Sequence, residues 1–178
     1  MKIRDALWTF FRYIFLIIIA FPDISLFYFV FTPLTIYPAF GLLSLFFSGI
    51  SMAGNSLVFG DYAVQIIPAC IAGSAYYLLL ILNMATPMKI KTRIYSIMFL
   101  LFSFLFLNII RLVIFSSFLF SGCGDFGMVH KAVWYFGSTI FVVLLWFFNV
   151  YLFKIKAIPA YTDIKHLLSI AKKKRGKK

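Results

Sequence analysis

Cys70, Arg111 and His130 are of types that suit covalent acyl chemistry, and they stand in successive apolar segments or at their ends. A cysteine nucleophile works as its thiolate, and an unperturbed thiol has a pKa of about 8.5. A neighbouring imidazole can take the proton, and a fixed guanidinium favours the anion. The planar fork of an arginine also suits a developing oxyanion or a carboxylate. Cys70 stands in Pro68-Ala69-Cys70-Ile71-Ala72-Gly73-Ser74, just inside an apolar run and behind a proline of the kind that opens a helix. Arg111 lies within another apolar run, where a guanidinium is costly unless it faces a protein interior or a wet cavity. Asn108, three residues earlier, shares its helical face and is placed to orient it. Ser74 and Tyr77 follow Cys70 by four and seven residues, which predicts a polar stripe turned towards the bundle.

Each of these residues also has a plain structural reading. A lone Cys70 packs as a small hydrophobe. Arg111 pairs with Asp61, Asp125 or a lipid phosphate, and Asn108 makes an interhelical hydrogen bond. His130, beside Lys131, is a solvated boundary residue, and Gly73 lets two helices approach closely. Cys123, in a glycine-containing loop, is incidental or a disulfide partner.

Composition decides the class. Hydrophobic residues make up 63% of the 178, aromatics 21%, and the mean hydropathy is +1.01. A soluble domain is closer to half apolar, so the sequence predicts an integral membrane protein. It is expected to form one transmembrane catalytic domain over residues 1–157, with a basic cytoplasmic tail over 158–178. The net charge of +12 points first to nucleic acid, but the cations cluster at segment ends and in the tail, as the positive-inside rule expects. No nucleic-acid partner is expected. The two cysteines show neither metal spacing nor a disulfide framework, so no metal or cofactor is expected either.

In chain order, Ala6–Phe21 reads as an anchor span and Ile24–Phe47 as an apolar run interrupted by Pro33 and Pro38. Ser56-Leu57-Val58-Phe59 and Tyr62-Ala63-Val64 flank Gly60-Asp61, which predicts a small hairpin or loop on the membrane surface. Ile66–Ala85 and Tyr95–Phe120 are spans joined by a basic loop, Lys89-Ile90-Lys91-Thr92-Arg93. Lys131–Phe153 is the last span. Basic N-terminus, loop and tail are all expected on the cytoplasmic side. That arrangement requires one net crossing before Cys70, so the proline-broken run is expected to be interfacial or re-entrant. The predicted fold is therefore an all-α polytopic membrane protein. It has about four full transmembrane helices, that partial element and a small extracytoplasmic hairpin. Cys70, Arg111 and His130 then fall on the outer side in successive segments.

From about Leu34 to Phe147 the sequence resembles the exosortase/archaeosortase family. The resemblance rests on the apolar stretch ending in Gly49, Gly54-Asn55-Ser56, Ile66-Ile67-Pro68-Ala69-Cys70 leading into Gly73, Asn108-Ile109-Ile110-Arg111, and His130 opening the last span. It implies a multi-span cysteine transpeptidase facing the outer side of the cell membrane, with Cys70, Arg111 and His130 as its catalytic residues. It implies as substrates surface-protein precursors ending in a short motif, a transmembrane helix and a basic cluster. These would be cut at the motif and passed to a lipid or glycan acceptor. Ile71-Ala72 depart from the Cys-Ser-Gly usual in the bacterial branch, which leaves the subfamily open.

The expected activity is thus that of a cysteine endopeptidase and transpeptidase. The rival reading is a non-catalytic membrane component, either a transporter subunit with Arg111 in a polar path or a sorting-signal binder that does not cut.

Overall fold

The computed structural model describes residues 25–121 and 138–155, together with residues 10, 11, 13, 14, 17 and 18. Helix α1 (Ser25–Phe46) takes in both Pro33 and Pro38. Its 22 residues span about 33 Å at ~1.5 Å each, enough for a hydrocarbon core of about 30 Å. The expected interfacial or re-entrant element is therefore a continuous helix. Each proline removes one backbone donor, but both rings lie on the exposed face. Thr35, Ile36, Ala39 and Leu43 form the buried face. Ala6–Phe21, the expected anchor, falls mostly outside the described residues, as do positions 131–137 of the last expected span and the tail from 156 on.

The expected hairpin is present and has a third strand. Strands β1 (Ser51–Ala53), β2 (Ser56–Phe59) and β3 (Tyr62–Gln65) form an antiparallel meander in sequence order. Its two turns are Gly54-Asn55 and Gly60-Asp61, with Gly54 at φ +60° and Gly60 at φ +57°. A glycine with positive φ at the first central position, followed by a residue without it, is the pattern of a II′ turn, which matches strand twist.

After the sheet come a single helical turn, α2 (Pro68–Ile71), and helix α3 (Gly73–Ala85). Helix α4 (Ile90–Phe120) is the longest element at 31 residues, and α5 (Ser138–Leu152) closes the described chain. Among the described residues three segments are long and apolar enough to cross a membrane: Ser25–Phe46, Pro68–Ala85 and Ile90–Phe120. The fold is mostly helical, as an all-α membrane protein requires.

The basic loop is shorter than its charges suggest, because α4 starts inside it. Arg93 is only 5% exposed. It donates from Nη1 to the Met84 carbonyl at 3.1 Å and from Nη2 to the Thr86 carbonyl at 3.0 Å. It thereby satisfies carbonyls that the end of α3 leaves without intrahelical partners. Beside it, Asn83 Nδ2 donates to Ser96 Oγ at 2.5 Å, and Ser96 Oγ donates to Asn149 Oδ1 at 2.8 Å. All three side chains are fully buried, so this chain of polar groups ties α3, α4 and α5 together. Helix α5 then ends in a Schellman motif. Ile155 N–H reaches the Val150 carbonyl, Lys154 N–H reaches that of Tyr151, and Lys154 is left-handed at φ 50°.

Two apolar clusters fill the interior. One gathers Phe27, Tyr76, Leu79, Leu100 and Phe104 of the helices. The other joins Ile36 and Leu43 of α1, Leu57 and Val64 of the sheet, and Leu112 and Phe120 of α4. Phe47, Phe59 and Phe120 meet edge-on or tilted and pin the sheet to the C-terminal end of α4. At Gly73 helix α3 packs against the Tyr28 ring of α1: a Cβ there would stand 2.8 Å from Cε1 and Cζ of that ring. The packing reading of Gly73 is the one the structure supports.

Candidate functional site

The site is made by a break in a helix. Pro68 occupies the first turn of α2, where its missing N–H is no loss. Two residues after Cys70 the chain turns left-handed at Ala72, φ 56° and ψ 45°. An L-residue other than glycine in that conformation costs roughly 1–2 kcal/mol. Ala72 is both the C-cap of α2 and the N-cap of α3, and its carbonyl accepts from the N–H groups of Ala75 and Tyr76. In an unbroken helix the carbonyls of Cys70 and Ile71 would accept from residues 74 and 75. The break releases them into the interior, where a carbonyl without a donor is costly.

Helix α4 supplies the donors. Asn108 Nδ2 reaches the carbonyls of Cys70 and Ile71, both at 3.2 Å. Arg111 Nη2 reaches the Cys70 carbonyl at 2.8 Å. Asn108 is 2% exposed, while Arg111 and Cys70 are half-buried. The Arg111 guanidinium also lies within electrostatic range of the Cys70 thiol and the Tyr76 hydroxyl. Arg111 is nine residues from Phe120, so the site is recessed by about 14 Å from the end of α4.

The expectations at individual residues divide. Cys70 and Arg111, 41 positions apart in sequence, are in contact as expected. His130, the expected base, lies outside the described residues, and so do Cys123 and Asp125. Asn108 does not hold Arg111; it shares the Cys70 carbonyl with it. The expected stripe of Ser74 and Tyr77 is displaced. Ser74 is exposed, and the inward face of α3 is Gly73, Ala75, Tyr76, Leu79 and Asn83. The left-handed residue rotates α3 relative to α2, so helical spacing counted from Cys70 no longer applies.

Tyr76 is the residue the spacing missed. It is fully buried, stacked on Phe31 with centroids 3.8 Å apart and edge-on to Phe104 at 4.7 Å. Among the described residues its hydroxyl meets no hydrogen-bond partner, nor does the Oδ1 atom of Asn108. Two aromatic walls therefore fix a polar atom beside the guanidinium. Among the described residues no cluster of His, Cys, Asp or Glu has the make-up of a metal site. A groove of about 150 Å³ between α1 and the Gly54-Asn55 turn, lined by Thr32, Ile36, Tyr37 and Met52, does not include Cys70.

With this geometry in hand, comparison with family models, with curated proteins and with solved structures returns no match.

Proposed function

We propose that the chain is a membrane cysteine endopeptidase and transpeptidase of the exosortase/archaeosortase type, with its site on the extracytoplasmic side of the cell membrane. The observation that carries this reading is the strained turn at Ala72, which presents Cys70 at a helix break while Arg111 and Asn108 clamp the carbonyl behind the thiol. Strain maintained by surrounding contacts is characteristic of functional sites. In this mechanism Cys70 Sγ attacks the scissile carbonyl and His130 takes the thiol proton. The C–N bond breaks, the proton passes to the leaving amine, and an acyl thioester remains. A hydroxyl or amine of a lipid or glycan acceptor then attacks the thioester, its proton passes to His130, the C–S bond breaks and the Cys70 thiolate leaves. Arg111 supplies positive charge for the thiolate and the oxyanion. The substrates are surface-protein precursors whose C-terminal signal carries a motif, an apolar helix and a basic cluster. No metal or cofactor takes part.

A second reading follows from one contact. Arg111 donates to the backbone of Cys70, which is also what a purely structural clamp does. A chain that binds sorting signals without cutting them would need no more. A membrane-impermeant thiol alkylator applied from outside separates the two. In the catalytic reading it stops processing, Cys123→Ala remains sensitive, and Cys70→Ala is inactive from the start. Processing that persists in Cys70→Ala leaves the binder.

A further inference from the structure

We propose that the edge of β3, which pairs with no further strand among the described residues, binds the substrate as an added antiparallel or parallel strand and leads it to Cys70; this rests on the peptidase reading above. The register decides which backbone groups are available. Phe59 and Tyr62 flank the two-residue turn, and Ile66 N–H donates to the Asn55 carbonyl at 2.9 Å. In an antiparallel pair the bonded positions alternate, so Tyr62, Val64 and Ile66 direct their N–H and C=O groups to β2. Ala63 and Gln65 therefore direct theirs away from the sheet, on the side where the strand order β1-β2-β3 ends. Both residues are exposed, whereas Val64 between them is buried in the core.

The same count leaves only Met52 facing outwards on β1, and that edge adjoins the groove beside α1. The β3 edge offers two residues and is continuous with the candidate site, because Gln65 precedes Cys70 by five positions. Five residues span at most about 18 Å. Cys70 packs against the cluster that contains Leu57, Val64 and Ile66, so sheet and nucleophile share one core. The occupant that matches a row of alternating donors and acceptors at strand spacing is an extended polypeptide, held by its main chain. An edge strand left unpaired is a template for such pairing. Side-chain specificity then comes from every second substrate residue, and the scissile bond lies one short strand beyond the paired stretch.

The test uses the full chain with Cys123→Ala in detergent, and the probe is a mixture of N-acetyl tetrapeptidyl vinyl sulfones. The Cys70 sulfur adds to the terminal vinyl carbon, the C=C π bond breaks, the carbon beside the sulfone takes the thiol proton, and a thioether remains. Its rate of formation is divided by that of alkylation by iodoacetamide, which releases iodide and has no backbone to pair. Strand addition predicts that N-methylation of alternate peptide amides lowers this ratio about tenfold, while methylation of the intervening amides leaves it unchanged. It also predicts a similar fall in Ala63→Pro, which removes an outward N–H at an edge position that tolerates proline. The N-methyl series is read on the protein with its native edge, so it stands even if Ala63→Pro fails to fold. Equal rates for all methylated peptides, or a ratio no greater than that of methyl vinyl sulfone, would overturn strand addition. So would a ratio that falls with rising protein concentration, because a second copy would then occupy the edge. A Cys70 inert to iodoacetamide as well would instead remove the peptidase reading beneath it.

Discussion

Arg111 donates to the main-chain carbonyl of Cys70 across 2.8 Å, joining the middle of the longest helix to the break in the helix before it. The contact fixes the backbone that carries the thiol and brings a cation to it, so one side chain serves position and charge together. Asn108 adds two further bonds to the same pair of released carbonyls.

Arg111→Lys separates those tasks. A lysine ammonium can reach one carbonyl and keep the charge, but it is a compact charge on a flexible stem without the planar fork. Loss of one oxyanion donor lowers rates by about 10²–10³-fold. The variant is expected to insert at normal levels and to process substrate at roughly a hundredth of the native rate or less. Cellular processing with protein level measured in parallel checks this, and near-native activity reduces Arg111 to a counter-charge.

Ala72→Gly tests the strained turn. Glycine takes a left-handed conformation at no steric cost, so the exchange should stabilise the protein by about 1 kcal/mol, less any extra freedom in the unfolded chain. Ala72→Val should do the reverse and do it more strongly, because a β-branched residue is a true outlier at positive φ. Unfolding of both variants in detergent gives the signs. If Ala72→Gly is the less stable one, the left-handed turn is not a site of strain.

Gly73→Ala should lower stability by up to about 1–3 kcal/mol, the usual range for overpacking, and by less to the extent that the half-exposed Tyr28 ring swings aside. The added Cβ would meet the Tyr28 ring at 2.8 Å. Tyr28→Leu in the same chain should restore most of the loss, and a double-mutant cycle in the same unfolding assay measures it. Purely additive effects would mean that α1 and α3 do not meet at this pair.

These residues also mark how far the sequence could be read. That Arg111 would lie against the Cys70 segment was legible, because both fall on the same side in successive apolar runs, but its printed bond is to the main-chain carbonyl of Cys70, which the sequence did not foretell. The strands beside Gly60-Asp61 were legible from their turn residues. The break at Ala72 was not, since Ile71-Ala72 carries no turn chemistry and alanine is the best helix former. That one dihedral put Tyr76 inside and Ser74 outside. Pro33 and Pro38 misled in the opposite direction, because both rings lie on the exposed face of α1, where the helix accommodates them. The Asn83–Ser96–Asn149 chain was hidden for a third reason: its members are 13 and 53 positions apart, and single polar residues do not announce their partners.

Sidedness rests on the basic Lys89–Arg93 loop. With that loop in the cytoplasm, as the positive-inside rule expects, α3 runs inwards and the sheet lies outside. In a background without native cysteines, Asp61→Cys should react with an impermeant maleimide on intact cells, and Lys91→Cys only after the membrane is opened. Labelling of Lys91→Cys from outside would invert the arrangement and place Cys70 on the cytoplasmic face.

In the proposed function Cys70 cuts surface-protein precursors. The most direct measurement compares the C-termini of membrane and surface proteins in cells carrying the native chain and cells carrying Cys70→Ala at equal level. A set of proteins is expected to keep its C-terminal apolar helix and basic cluster in the variant and to lack both in the native cells. Identical C-termini in the two would contradict it, and would leave Arg111 and Asn108 as the clamp of a membrane protein that does not cut.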